Sequence, residues 1–379
     1  MRKPIPSVGV EEEYQLVDPG TGQLLPNCKE VMRRLGDDTK ADIQHELHLT
    51  QIEMASAVCY TLDEVRDSLK RVRRQLVEAA KQTGAALVAA GTNPLILPDT
   101  ESFTPKQRYR AMHERFQQVA RDMLIFGCHV HVEMHDRSLR FQVMNQARRW
   151  LPILQALSAN SPFWDGEDTG YASYRRELWA QWPMAGPPPH FDSLEDYEAC
   201  VDDLIRCGAI EDESFIYWDI RLPTKVPTIE FRGADVMLSL EETVGYTGLV
   251  RAIVMQATKE VEANQINKPI RANVLTYATW HAARYGVSKD MVDPLTCEKK
   301  STEELVAELL GYVRQSLEES GDLECVAEYV KRVLAGGTGA DRQRAAVGSD
   351  ANLIDAVQHA IVETAQNTVA TVAKNCGHR

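Results

Sequence analysis

A period of two runs through Ser7-Val8-Gly9-Val10-Glu11-Glu12-Glu13-Tyr14-Gln15-Leu16, and it commits this chain to a sheet with one ionisable face. Side chains of a strand alternate between faces, so Glu11, Glu13 and Gln15 share one side while Val8, Val10, Tyr14 and Leu16 pack the other. Glu12 is the one acid on the packed side. Two carboxylates brought to about 4 Å on one face repel by about 4 kcal/mol at an effective dielectric near 20. A divalent cation would remove that penalty.

The same period returns in three further segments. Gly127-Cys128-His129-Val130-His131-Val132-Glu133-Met134 sets His129, His131 and Glu133 against Val130, Val132 and Met134. Pro227-Thr228-Ile229-Glu230-Phe231-Arg232 groups Thr228, Glu230 and Arg232 opposite Ile229 and Phe231, and Gln51-Ile52-Glu53-Met54-Ala55 sets Glu53 against Ile52 and Met54. One such strand alone would read as solvated surface. Four with His and acids on one side, and almost no Lys, predict a single antiparallel sheet whose wet face is an active site.

At 379 residues and 44% hydrophobic the chain can bury a large core. We expect one catalytic domain over 1–379, with the sheet and site mainly in 7–240 and a helical part from about 241. The formal charge of −13, and the absence of a basic stripe, argue against nucleic acid. The basic run Lys70-Arg71-Val72-Arg73-Arg74 falls on an amphipathic helix balanced by Asp63, Glu64, Asp67 and Glu78. No apolar stretch of about 7–15 residues follows the N-terminal Arg2 and Lys3, and no span of about 18 apolar residues occurs, so a cytoplasmic protein with no membrane partner is expected. Eight cysteines without a C-x-x-C pair read as buried thiols, with no catalytic role.

Capping boxes at Thr61 to Glu64, Ser239 to Glu242 and Ser301 to Glu304 open helices, the first to about 82 and the second to about 264, with three helices filling the end of the chain. Further helices are expected over 106–122, 138–157 and 194–207. Strands are expected over 85–90 and in a hairpin of 216–221 with 226–233. The segment 161–176, rich in aromatic rings, acids and arginines, reads as a long functional loop suited to a polar substrate or nucleotide. Ala335 to Ala340 lacks the spacing of a P-loop and reads as a flexible connection, although Asp341 to Arg344 could reach an anion.

Clustered acids and a His beside Arg221 and Arg232 suit hard cations held against phosphate oxygens. Because Mg²⁺ usually takes only one or two carboxylates per ion, this set implies two or three ions and a polyphosphate, and Mn²⁺ would also fit. An arginine aimed at a transferring phosphoryl group would spread its charge.

These segments, with Gly91-Thr92-Asn93-Pro94, Ser158-Ala159-Asn160-Ser161-Pro162-Phe163-Trp164, Asp168-Thr169-Gly170-Tyr171-Ala172-Ser173 and Trp218-Asp219-Ile220-Arg221, resemble in order the glutamate-cysteine ligase type 2 family, specifically its YbdK-like carboxylate-amine ligases. The resemblance covers most of residues 7–240, with a weaker echo at Gly339 to Arg344. It implies an α+β fold: a curved antiparallel sheet of about six strands flanked by helices, related to the glutamine synthetase catalytic fold. It also implies ATP as phosphoryl donor, an acyl phosphate on a carboxylate such as that of glutamate, and attack by an amine such as cysteine to give an amide. By position, Glu11, Glu13, Glu53, His131 and Glu230 would hold Mg²⁺ and Arg232 would face the transferring phosphoryl group. Arg221, Tyr171 and Arg175 would contact substrate or nucleotide. Asn93 and Glu133 depart from the family pattern, which has His and Gly there in many relatives, so Glu133 could add an acid to the site.

Two rival readings are a metal-dependent amidohydrolase, from His129-x-His131, and a nucleotide-binding homologue without catalysis. The amidohydrolase needs parallel strands alternating with helices. A homo-oligomer, with a dimer as its simplest form, is the prior for an enzyme of this size.

Overall fold

Four strands of the computed structural model, which describes residues 4–36, 39, 42–95 and 104–366, are those the alternation marks. They are β1 (Val8–Val17), β3 (Gln51–Ala55), β5 (Gly127–Glu133) and β7 (Thr228–Asp235). With β2 (Ile43–His45), β4 (Ala86–Val88) and β6 (Ile220–Arg221) they make a seven-stranded sheet in the order β6-β7-β5-β1-β3-β2, with β4 on the far end of β1. Every pairing is antiparallel. The strand beyond the expected six is β2, whose three residues are too few to show an alternation, and β4 is shorter than the 85–90 expected because it pairs only with Gln15 to Val17.

The apolar face of the sheet is the core. Val8, Val10, Tyr14, Leu16, Ile52, Met54, Val130, Val132, Ile229 and Phe231 are all buried. Helices Leu62–Gln82 and Leu240–Glu262 cover that face, each opened by its capping box. Glu12 lies among them, paired with Arg73, and neither is exposed. Of the helices after residue 300, Thr302–Ser320 and Leu323–Gly336 pack on Leu240–Glu262 and Leu353–Ala365 packs on β4 and Leu62–Gln82, which leaves the ionisable face uncovered by them.

Several local expectations are corrected. The span 138–157 is two α-helices, Arg137–Ala147 and Leu151–Leu157, joined by a 3-10 turn at Arg148–Trp150. Pro152 has no N–H to donate to the preceding turn, so it begins the second helix instead of continuing the first. The span 106–122 breaks at Gln117, whose φ is 48°, into Gln107–Phe116 and Gln118–Arg121. Of 216–221, Tyr217–Trp218 pairs in parallel with Ala185–Gly186, and only β6 forms the hairpin with β7. The supposed loop at 161–176 contains a hairpin, Phe163–Trp164 with Glu167–Asp168, turned at Asp165 and Gly166 with φ of 50° and 83°, the positive values of a tight Asp-Gly turn. Helix Tyr174–Trp179 follows it.

Among the described residues four α-helices, not three, follow Ser301: Thr302–Ser320, Leu323–Gly336, Gly339–Val347 and Leu353–Ala365. The Gly-rich connection before the third is a capping box of Thr338 with Asp341. Among the cysteines, Cys28, Cys59 and Cys128 are buried as expected, whereas Cys207 and Cys297 are exposed; Cys376 lies outside the described residues. Among the described residues no helix is long and apolar enough to cross a membrane.

Candidate active site

Strand register converts the alternating pattern into rows of side chains across the wet face. Glu13 stands opposite Glu53, and Glu11 opposite His129. Glu230 stands opposite both His131 and, on its other side, Arg221. Directly opposed residues have Cβ atoms only about 4.5–5.5 Å apart, so these groups interact by construction.

The centre is formed by Glu11, His131 and Glu230, which can each offer one ligand atom with all three within 4.8 Å of one another. His131 Nε2 is 3.4 Å from Glu11 Oε1 and 3.8 Å from Glu230 Oε1. That nitrogen is buried without a hydrogen-bond partner, while Nδ1 is held by Thr228 Oγ1 at 3.0 Å. A ring fixed at one nitrogen, with the other aimed at two carboxylates, fits a metal ligand and its orienting partner. Glu11 Oε2 also lies 2.9 Å from His129 Nδ1. Glu230, fully buried, accepts from Arg221 Nε at 2.7 Å and from Arg232.

Electrostatics divide the acids into two groups. Burial alone would raise Glu230, but the charges of Arg232, His131 and Arg221 hold it down at about 2. Glu11 likewise resists burial through the hydrogen bond from His129 and the charge of the adjacent His131 and stays well below the usual carboxylate range. Glu53 goes the other way: burial, then the charges of Glu46 and Glu11, push it well above that range, and it shares a hydrogen bond with Glu46. Glu46 is itself raised by burial and by Glu13. Glu13, opposite Glu53 in the strand register, and Glu46, hydrogen-bonded to Glu53, therefore form a second acidic group beside the first.

Sequence reasoning missed Glu46. Its signal was the alternation of Gln44 with Glu46 at the end of a three-residue strand, too short to stand out. Both line a cleft of about 250 Å³ with Glu11, Glu13, Glu53 and His129. Arg175, Arg232, Trp179 and Tyr217 form another part of its wall, and all its lining residues fall between Glu11 and Arg232.

Arg175 thus joins the site, buried, with its guanidinium 5.7 Å from the ring of Trp179. Tyr171 does not line the cleft. Its hydroxyl accepts from Trp280 Nε1 at 3.2 Å, and Arg284 lies over its ring. Glu133 is at the sheet margin, bound to Ser7 Oγ at 2.7 Å and His135 at 2.9 Å, and adds no carboxylate to the cleft lining. Asn93 is buried against Gln15 Oε1 at 3.0 Å and serves to tie down the segment after β4. The anion that Arg344 reaches is the protein's own Asp168, through two hydrogen bonds of 2.8 and 2.6 Å.

Gly127 is required by this packing. A Cβ there would stand 2.3 Å from Arg175 Nη2. Gly127→Ala is expected to displace the buried guanidinium and destabilise the fold by about 1–3 kcal/mol, as overpacking does. Urea unfolding checks the stability, and an unchanged midpoint would show that Arg175 moves aside freely.

The chain matches the family described as Glutamate-cysteine ligase family 2 over residues 7–363. It is 58% identical over 370 residues to a Rhodopirellula baltica protein named "Putative glutamate--cysteine ligase 2", covering 96% of this chain and 98% of that one. A Mycolicibacterium vanbaalenii protein of the same description, numbered 2-2, is 41% identical over 367 residues, covering 96% and 99%. Among solved structures, the glutamate–cysteine ligase of Francisella tularensis, in complex with AMP, superposes with a TM-score of 0.73 at 13% identity, covering 98% of this chain and 90% of that one. The bifunctional glutathione synthetase of Pasteurella multocida gives 0.72 at 16% identity over 96% of this chain, which spans 52% of that longer protein. At these identities the two structures establish the shared fold.

Proposed function

The chain belongs to the glutamate-cysteine ligase family 2, and on that premise we propose that it is an ATP- and Mg²⁺-dependent ligase that activates a carboxylate, glutamate or a related amino acid, as an acyl phosphate and joins it to an amine, with cysteine one candidate. The observation that carries this reading is the placement of Glu230, whose Oε1 faces His131 Nε2 across the sheet and accepts from Arg232 while its Oε2 accepts from Arg221. Two carboxylates and a partnerless imidazole nitrogen suit one cation, and we place a second at Glu53 with Glu13 opposite it and Glu46 hydrogen-bonded to it. Mg²⁺, when bound, neutralises phosphate oxygens and the charge that develops during phosphoryl transfer.

The protein's own groups supply orientation and charge. Arg232 is fixed by Glu230, so it meets an anion without first having to reorganise, which is the condition under which a cation contributes most to phosphoryl transfer. Arg221 is held by Glu230 and the Ser214 carbonyl. Arg175 offers a third guanidinium for a substrate anion. Tyr171 is left as a support of the 161–176 segment rather than a cleft group.

The test is ADP release from ATP and Mg²⁺ across a matrix of amino acids and amines, with EDTA and Glu230→Gln controls and mass spectrometry of any product. Release that needs both a carboxylate and an amine, and is lost in both controls, supports the ligase. Binding of ATP with no release in any pair would instead support a silent homologue. The barrel amidohydrolase is disfavoured by the antiparallel pairing of every strand in the large sheet.

Acid–base linkage gives a second expectation. A folded-state pKa raised above the unfolded one, as for Glu53 and Glu46, contributes stability that is present at low pH and lost as pH rises from about the ordinary 4.5 through the folded value. Glu230, held at about 2, contributes in the opposite sense, losing its stabilisation as pH falls from 4.5 toward 2. Without metal, the protein should therefore lose stability as pH rises above 4.5, and Mg²⁺ should raise Tm more at pH 8 than at pH 5, because binding displaces the proton of Glu53. Calorimetric melting with and without Mg²⁺ checks this. An equal Mg²⁺ shift at both pH values would rule out the second acidic group as a metal site.

A further inference from the structure

Asp235 is the buried carboxylate on which the segment carrying Arg175 converges. It is fully buried at the end of β7. One oxygen accepts from the Asn160 amide at 2.8 Å and Ser161 Oγ at 2.7 Å, and the other accepts from Ser173 Oγ at 2.8 Å. That second oxygen is also 3.9 Å from Arg175 Nη1. Ser161 Oγ in turn accepts the Arg175 amide at 3.0 Å, so a single carboxylate sets both the backbone and the head of Arg175. The packing leaves no slack: a Cβ at Gly91 would lie 2.9 Å from Asp235 Cγ, and one at Gly127 would meet the Arg175 guanidinium.

Arg175 itself is left with unused capacity. Its Nη1 donates to the Gly233 carbonyl at 3.3 Å, but its Nε is buried with no partner, and so is Nε of Arg232. Both guanidiniums lie over Trp179, with ring distances of 5.7 and 6.0 Å, and both line the cleft. Two cations with open donors on one aromatic ring suit a carboxylate or phosphate oxygen of a bound substrate.

Resting on the ligase reading, we propose that Asp235 is a positioning residue: through Ser161, Ser173 and Arg175 it fixes the Arg175 guanidinium in the cleft wall, and thereby sets the affinity for the anionic carboxylate substrate rather than the rate of phosphoryl transfer. Asp235 touches neither substrate nor metal ligand in this scheme. The guanidiniums of Arg221 and Arg232 are anchored on Glu230 rather than on Asp235.

The experiment measures kcat and KM for the carboxylate substrate identified by ADP release, in wild type, Asp235→Asn, Arg175→Lys and the double variant. Asp235→Asn is expected to raise KM about tenfold, as loss of a charge-assisted contact does, with kcat changed by less than about threefold. The double variant should be no worse than Arg175→Lys, since both act through one guanidinium. An unmoved KM, a fall in kcat alone, or effects that multiply in the double variant would overturn the proposal. If Asp235→Asn does not fold, Ser161→Ala and Ser173→Ala each remove one of its hydrogen bonds and must show the same rise in KM. Should wild type be silent with every substrate pair, the ligase reading fails separately. Calorimetric titration with glutamate then decides: binding weakened in both Asp235→Asn and Arg175→Lys sustains the positioning role, and equal binding, or none by wild type, ends it.

Discussion

Glu230→Gln is expected to lower ADP release by about 10²–10³-fold, the usual effect of removing one preorganised electrostatic group. Glu230 is fully buried and joins three cationic or potentially cationic groups: Arg221, Arg232 and His131. The amide keeps the shape and one acceptor oxygen but loses the charge that offsets two buried guanidiniums. It also donates, through its NH₂, where the carboxylate only accepts. The variant should therefore suffer twice, in cation binding and in the placement of Arg232. A stability loss of up to about 3–5 kcal/mol, the range for breaking a buried pair, bounds the structural part of the effect. Glu133→Gln is the control, because Glu133 is partly exposed, bonded to Ser7 and His135, and outside the cleft lining. Its activity should stay within about threefold of wild type, as surface changes do. Should Glu230→Gln retain a tenth of wild-type activity while remaining folded, the central site is misassigned.

Arg73→Met should produce the largest stability loss with the smallest change in chemistry. Arg73 and Glu12 are both 0% exposed on the packed side of the sheet, which is where an uncompensated charge costs most. Arg73 Nε donates to Glu12 Oε2 at 2.9 Å and to Tyr14 at 2.9 Å, and its terminal nitrogens reach the carbonyls of Leu238 and Met237. Thr243 Oγ1 donates to Glu12 Oε1 at 2.7 Å. Removing the arginine leaves Glu12 charged in apolar surroundings, at about 3–5 kcal/mol. The double change Glu12→Leu with Arg73→Met should recover most of that, because two apolar groups leave neither charge exposed to the core. Urea unfolding measures both. Activity per folded molecule should be nearly unchanged in the single variant, since the pair lies on the opposite face from Glu11 and Glu13. A stability loss below about 1 kcal/mol in Arg73→Met, the scale of a surface ion pair, would show that the pair is hydrated.

Glu230 lies on the wet face of the sheet and Glu12, the partner of Arg73, on the packed one, and that division is visible in a string of letters, as in the consecutive Glu11 and Glu12. Strand periodicity and capping are local: one needs only neighbours at two positions' distance, the other Thr61 with Glu64, Ser239 with Glu242 and Ser301 with Glu304. Local breaks were partly hidden. Pro152 was visible, yet whether it kinks a helix or starts a new one depends on how Arg137–Ala147 packs before it. The turn at Asp165 and Gly166 had a clear signature that the aromatic composition of the segment obscured.

By itself, then, the sequence determined which residues share a face, that the wet face concentrates acids, histidines and arginines, and which family those motifs resemble. The order β7-β5-β1-β3 was decided by tertiary structure alone, because strands separated by tens of residues choose neighbours and register through long-range burial, which no local window contains. That choice set Glu230 opposite His131 and drew Glu46 to Glu53. It kept Tyr171 against Trp280 and gathered Asn160, Ser161, Ser173 and Arg175 around Asp235. The physical reason is that alternation fixes a side chain's direction, whereas the distance between two charges depends on the packing of the whole core beneath them.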